Sequence, residues 1–117
     1  LTIFNEYNIN YSINFGSPRV GNNKFIESYN SYKINNYRVT HYYDMVPHVP
    51  EEFLGYQHIA NEIWYNKDNS EYKICKDSNN TEDDNCSNSC APLHCTSTSD
   101  HLYYLNVTMG NDDCLSC

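Results

Sequence analysis

Basic residues are scarce in this sequence: seven Lys and Arg stand against fifteen Asp and Glu, for a net charge of -8. Binding to nucleic acid, or capture by an anionic membrane surface, needs a basic patch, and so few cations do not supply one. Alanine occurs only at 60 and 91 and the mean hydropathy is -0.75. A core must therefore draw on aromatic and β-branched residues, chiefly twelve Tyr and four Phe. No apolar run approaches the roughly 18 residues of a membrane-spanning helix. The start carries neither a signal peptide nor an initiating Met. Glycine is confined to Gly16, Gly21, Gly55 and Gly110, no two of them four apart. The Gly-x-Ser-x-Gly turn that presents a nucleophilic serine is therefore not in these 117 residues.

Cysteine is absent from the first 74 residues; Cys75, Cys86, Cys90, Cys95, Cys114 and Cys117 then crowd the remainder. Asn10, Asn79, Asn85 and Asn106 each open an Asn-x-Ser/Thr acceptor sequence for glycosylation. Some are expected by chance in a chain with 18 Asn. Together with clustered cysteines they point to an oxidising, secretory setting and a secreted protein. A chain of this length is about one domain. The abrupt start at Leu1, straight into amphipathic sequence, reads as a fragment.

Ser12–Phe15 alternates and stops at Gly16-Ser17-Pro18, which predicts a strand ending in a sharp corner. Asn22 or Asn23 caps a helix running to about Tyr32, with Phe25, Ile26 and Tyr29 on one stripe. Tyr37–Tyr42 is the next strand. Strand, helix, strand at this spacing predicts a parallel pair joined by a crossover helix. Residues 47 to 58 read as a loop, and Glu62–Tyr65 and Tyr72–Ile74 as a hairpin turning at 66–69. From Lys76 to Ser99 the sequence reads as irregular, and His101–Leu105 as a short helix or strand. There is no internal repeat.

Asp44 lies just past the second predicted strand, where parallel sheets place their chemistry. Asp100-His101-Leu102 follows, with His101 57 positions after Asp44. A carboxylate followed in chain order by an imidazole supplies two members of an acyl-transfer triad: the base and the group that holds its tautomer. By position alone such an Asp is more often a turn former than a catalyst. His41, His48, His58 and His94 read as structural or surface residues, with His48 and His58 flanking the candidate site. Arg19 reads as an anchor for the corner through carboxylate or carbonyl contacts. Cys86, Cys90, His94 and Cys95 carry donor atoms for zinc, but without two C-x-x-C knuckles; Cys114 and Cys117 provide a single one.

Five blocks together are distinctive: Gly16-Ser17-Pro18-Arg19-Val20-Gly21-Asn22, Asp44-Met45-Val46-Pro47-His48-Val49-Pro50, Gly55-Tyr56-Gln57-His58, Cys86-Ser87-Asn88-Ser89 and Asp100-His101-Leu102-Tyr103-Tyr104. In this order they closely resemble the class 3 (fungal-type) triacylglycerol lipases, over roughly residues 11 to 117. The resemblance implies an α/β-hydrolase fold of which this chain is the C-terminal half: parallel strands with a crossover helix, plus disulfide-bearing loops. Residues 1–117 would then be the C-terminal part of a single lipase-type domain. It also implies Asp44 and His101 as triad acid and base, with the serine upstream of Leu1. The oxyanion hole and the lid would fall outside this chain as well.

Val46, Val49 and Leu102 neighbour the pair and are candidates for lining an acyl groove. The resemblance favours a Cys75–Cys86 disulfide, and Cys90–Cys95 is a reasonable second pair; Cys114 or Cys117 would bridge to a cysteine in an N-terminal portion. Met45, Cys90 and Cys95 depart from the family pattern. The implied activity is hydrolysis of lipid esters at a lipid–water interface, with no metal and no organic cofactor; the oligomeric state is left open. The competing reading is a non-catalytic secreted glycoprotein module, a degenerate hydrolase binding lipid or a protein partner.

Overall fold

The computed structural model describes residues 9–77, 82–91 and 93–110. Strand β1, Tyr11–Phe15, ends where Gly16 turns at φ 57 and its N–H donates to Val39 O at 2.9 Å. Asn22, in extended conformation, then caps helix α1, Asn23–Ser31, its side chain accepting from Phe25 N at 3.2 Å. Lys33 at φ 53 leaves the helix in left-handed conformation, with Lys33 N on Asn30 O. Strand β2, Asn35–His41, runs parallel to β1, with Ile13 opposite Tyr37 and Phe15 opposite Val39. This is the crossover unit that the sequence pattern predicts, although β2 begins two residues earlier than its apolar pattern and ends at His41.

Strand β3, Glu62–Tyr65, extends the sheet in parallel beside β2, and β4, Tyr72–Ile74, folds back antiparallel on β3. The order is β1-β2-β3-β4. Two single 3-10 turns, Val46–His48 and Glu52–Leu54, shape the segment expected to be a plain loop. The stretch expected to be irregular contains a 3-10 turn at Ser87–Cys90 and the start of helix α2, Thr98–His101. Strands β5, Tyr103–Tyr104, and β6, Val107–Thr108, then form a two-residue hairpin ladder.

The expected core of aromatic and β-branched residues needs correction in its aromatic part. Among the described residues Tyr104 is the one buried Tyr or Phe, beside Ile26, Val39 and four cysteines, while Tyr11, Phe15 and Phe53 are exposed. Polar side chains occupy the interior instead. Arg38 donates to Ile59 O at 2.6 Å and pairs with Asp77 at 3.3 Å and Glu62 at 3.8 Å. Glu62, 1% exposed, accepts from the hydroxyls of Thr40 and Ser87. Burial raises its carboxyl above the usual range against the pull of Arg38. Buried polar groups persist only when bonded in this way.

Two disulfides fasten this web: Cys75 is joined to Cys86, and Cys90 to Cys95. Arg19 is buried at the corner after β1. Its guanidinium forks onto both oxygens of Glu82 at 2.7 and 2.8 Å and donates to His48 O and Pro50 O. The carboxylate and carbonyl anchoring read from the sequence is therefore how Arg19 is used.

Candidate active site

Chain reversal after β2 makes the site. Tyr42 turns at φ 37, and Asp44 N donates back to His41 O at 2.9 Å, which tucks the Asp44 side chain beneath the corner at Gly16. Asp44 is 1% exposed. A buried carboxylate is tolerated only when its oxygens are saturated, and here they are. Oδ1 accepts from Val46 N at 2.8 Å, and Oδ2 accepts from Tyr104 Oη at 2.5 Å and from His101 Nδ1 at 3.0 Å. Burial, and next the bond to Asp44, push the Tyr104 phenol well above its usual value, so it remains a donor.

His101 reaches Asp44 because Ser97 clasps two segments. Ser97 N donates to Tyr43 O at 3.0 Å, and Met45 N to Ser97 O at 3.3 Å, a parallel bridge between Asp44 and Ser97. The Ser97 hydroxyl also caps α2 by accepting from Asp100 N at 3.0 Å. Since a carboxylate only accepts, His101 Nδ1 carries the proton in that bond, and Nε2 is the ring nitrogen left for another partner. The His101 side chain is about one-third exposed.

Gly16 completes the enclosure. A Cβ at this residue would meet Asp44 Oδ2, His101 Nδ1 and Tyr104 Oη, each at 2.9 Å. Gly16 and Tyr104 stand in two of the five sequence blocks, but nothing in those blocks gives either a role beside Asp44, and Ser97 lies outside them. Tyr104 follows His101 by three, the one local signal that the two side chains share a neighbourhood.

Val46 is half-buried beside Asp44, while Val49 and Leu102 are exposed at 38% and 47%. A cavity of about 350 Å³ is lined by Tyr42, Tyr43, Trp64, Tyr72 and His94 among others, and includes neither member of the pair nor these three apolar residues. His48 and His58 are buried, and His58 Nε2 meets Pro47 O at 2.6 Å. Burial, then the charge of Arg19, lowers His48 to about 4; burial, then Arg38, lowers His58 to about 3. Both are neutral at neutral pH. His94 is exposed, and the sulfurs of Cys86, Cys90 and Cys95 are spent in disulfides. The zinc reading therefore loses its thiolates. The same holds where His48 approaches Cys90 and Cys95, and where Glu62 approaches Cys75 and Cys86.

Asn10, Asn85 and Asn106 are exposed, but Ser87, which completes the Asn85 acceptor sequence, is buried against Glu62. Asn79, Cys114 and Cys117 lie outside the described residues. Among the described residues no helix is long and apolar enough to cross a membrane.

A buried Asp, a His and a backbone corner converging in this way invite comparison with known proteins. The profile of the family described as Lipase (class 3) matches residues 4–54. A lipase of Rhizopus niveus is 40% identical over 96 residues, 82% of this chain and 24% of the relative. A secreted mono- and diacylglycerol lipase of Fusarium solani is 41% identical over 68 residues, covering 52% of this chain and 20% of its own length. A solved triacylglycerol lipase, described as having a serine protease triad as its catalytic centre, superposes with a TM-score of 0.75 at 34% identity. That superposition covers 86% of this chain and 37% of the solved one. The chain thus spans about a quarter of the length of the curated relatives it matches. Its three parallel strands, crossover helix and paired cysteines are the C-terminal part of an α/β-hydrolase fold. On profile, identity and superposition together, the chain belongs to the class 3 lipase family.

Proposed function

We propose that this chain supplies the acid and base of a secreted serine carboxylic-ester hydrolase acting on acylglycerols at a lipid–water interface. The observation that carries the reading is the 3.0 Å contact between His101 Nδ1 and the buried carboxylate of Asp44, which leaves Nε2 as the working base. A serine from a segment upstream of Leu1 attacks the ester carbonyl, and Nε2 takes its proton. Asp44 holds the tautomer and stabilises the imidazolium. His101 then returns the proton to the leaving alcohol, and the acyl-enzyme is released by water activated at the same nitrogen. Val46, Val49 and Leu102 flank the acyl chain. The oxyanion donors come from outside this chain, and the site employs no metal or organic cofactor.

The test is Asp44→Asn in the complete protein, with the wild type as reference. The amide presents the wrong partner to Nδ1, so kcat falls by about 10⁴ while KM changes little. Near-normal turnover removes Asp44 from the mechanism. The 117-residue polypeptide, having no Gly-x-Ser-x-Gly, takes up no fluorophosphonate. Heat-sensitive labelling of that polypeptide refutes an upstream nucleophile. A complete protein that also resists the probe is instead a non-catalytic secreted module.

A further inference from the structure

His41 closes β2 and is 1% exposed, yet the acid–base chemistry makes no direct use of it. Its backbone carbonyl accepts from Asp44 N at 2.9 Å. Its ring reaches the other half of the pair: Nδ1 lies 3.0 Å from the carbonyl oxygen of Asp100, the residue before His101. Nε2 lies 3.0 Å from Lys67 O and 3.3 Å from Asn69 Nδ2, both in the β3–β4 turn. The Tyr103 and Tyr104 rings pack against it in T-shaped contacts.

Hydrogen-bond roles single out one of these contacts. A carbonyl oxygen only accepts, so each ring nitrogen bonds the carbonyl that it faces, Nδ1 to Asp100 and Nε2 to Lys67, only when it carries a proton. With one proton on the ring, Nδ1–H donates to Asp100 and bare Nε2 accepts from Asn69. With two, Nε2–H donates to Lys67 instead. The bond to Asp100 is common to both states. Either single-proton tautomer leaves a bare nitrogen 3.0 Å from a carbonyl, Nε2 from Lys67 O or Nδ1 from Asp100 O. Of the two, Nε2 has the Asn69 amide donor beside it at 3.3 Å, so the Nδ1–H form keeps both nitrogens bonded. Asn69 also accepts from Leu105 N at 3.1 Å, so the same turn grips the chain beyond His101.

We propose that His41 is a positioning residue: through the Asp100 carbonyl, Nδ1–H sets where the His101 ring meets Asp44. The β3–β4 turn holds the His41 ring in that orientation. This role deepens, and rests on, the hydrolase reading given above.

Two substitutions in the complete protein separate positioning from mere filling of the interior. His41→Asn keeps a donor where Nδ1 stood, and His41→Gln keeps one where Nε2 stood; both remove the ring. H41N is expected to hold kcat for a soluble ester within about tenfold of the wild type, whereas H41Q loses about a hundredfold at unchanged KM, the scale of a misplacement near 1 Å. Equal losses in the two variants, or an effect on KM alone, overturn the proposal. Nitrogen-15 NMR of the wild-type histidines reads the same bond without activity and without a variant that might misfold. A proton on His41 Nδ1 is expected at neutral pH, and a ring protonated at Nε2 only overturns the assignment. A wild type that hydrolyses no ester but shows the Nδ1 proton, with His101 bonded to Asp44, refutes the hydrolase reading and leaves the placement by His41 standing.

Discussion

A single methyl group at residue 16 is the sharpest perturbation that the site offers. Alanine there must adopt φ 57, which costs an L-residue about 1–2 kcal/mol. Its Cβ would also press on Asp44 Oδ2, His101 Nδ1 and Tyr104 Oη, each only 2.9 Å away. Relief requires these atoms to part by several tenths of an ångström, which weakens bonds to a carboxylate that is 1% exposed. An under-bonded buried polar group costs about 1–3 kcal/mol, so Gly16→Ala should destabilise by about 2–5 kcal/mol in total. Turnover in the complete protein should fall by about a hundredfold, because the base no longer meets its partner at the right distance.

Gly55→Ala is the internal control. Gly55 has φ 86, so it carries a similar backbone penalty, but a Cβ there has nothing within 4 Å. It should lose about 1–2 kcal/mol of stability and keep its turnover. Urea unfolding and ester hydrolysis, measured side by side on the two variants, isolate the clash from the backbone strain. Equal turnover in the two refutes the claim that residue 16 must be glycine to let the pair meet.

Tyr104→Phe removes one of three donors on Asp44 and should cost about 1.5–3 kcal/mol of stability with roughly a tenfold loss in kcat; unchanged values in both assays would show the phenol to be idle. Acid should weaken the fold through His48 and His58. Their folded values of about 4 and about 3 lie below the ordinary 6.5, so as pH drops from 6.5 towards 4 the unfolded chain takes up protons that the folded one refuses. Stability is full above pH 6.5 and then declines by about 1.4 kcal/mol per unit for each ring, and unfolding curves at stepped pH should flatten in His58→Gln. Replacing Cys75 and Cys86 together by Ala should cost about 3 kcal/mol by reopening their loop, read from urea midpoints; a smaller loss in the oxidised protein than under reductant would contradict the bond.

The crossover unit was legible because its signals are local: Gly16 and Pro18 stop β1, Asn22 caps α1, and turn residues at 66–69 separate β3 from β4. Asp44 and His101 were legible as candidates because their residue types and chain order carry chemical meaning. What surrounds them was not. Tyr104 and Asp44 are 60 positions apart, and no periodicity links a tyrosine to a carboxylate at that distance. Glu62 reads as the polar start of a strand, yet it is buried because Arg38 and Thr40 of β2 and Ser87 of a distant turn converge on it. The tyrosines misled for the opposite reason. An aromatic residue can cap an open face as readily as fill a core, and Tyr11, Tyr37 and Tyr72 lie on exposed faces of the sheet.

The clasp at Ser97 has a consequence for how such a chain can vary. The polypeptide leaves the site at Met45 and comes back to it at Ser97, joined at both ends by the same ladder of backbone bonds. The segment between starts and finishes at one point, and two parts of it return to the pair's surroundings: the Val46 N–H on Asp44 and the β3–β4 turn on the His41 ring. Lengthening its surface turns changes closure entropy only logarithmically. Insertions at the exposed Phe53–Gly55 turn should therefore be absorbed locally. The clasp forms a fixed port, and it is the exposed turns looping out from it, away from Val46 and the β3–β4 turn, that are free to be remodelled.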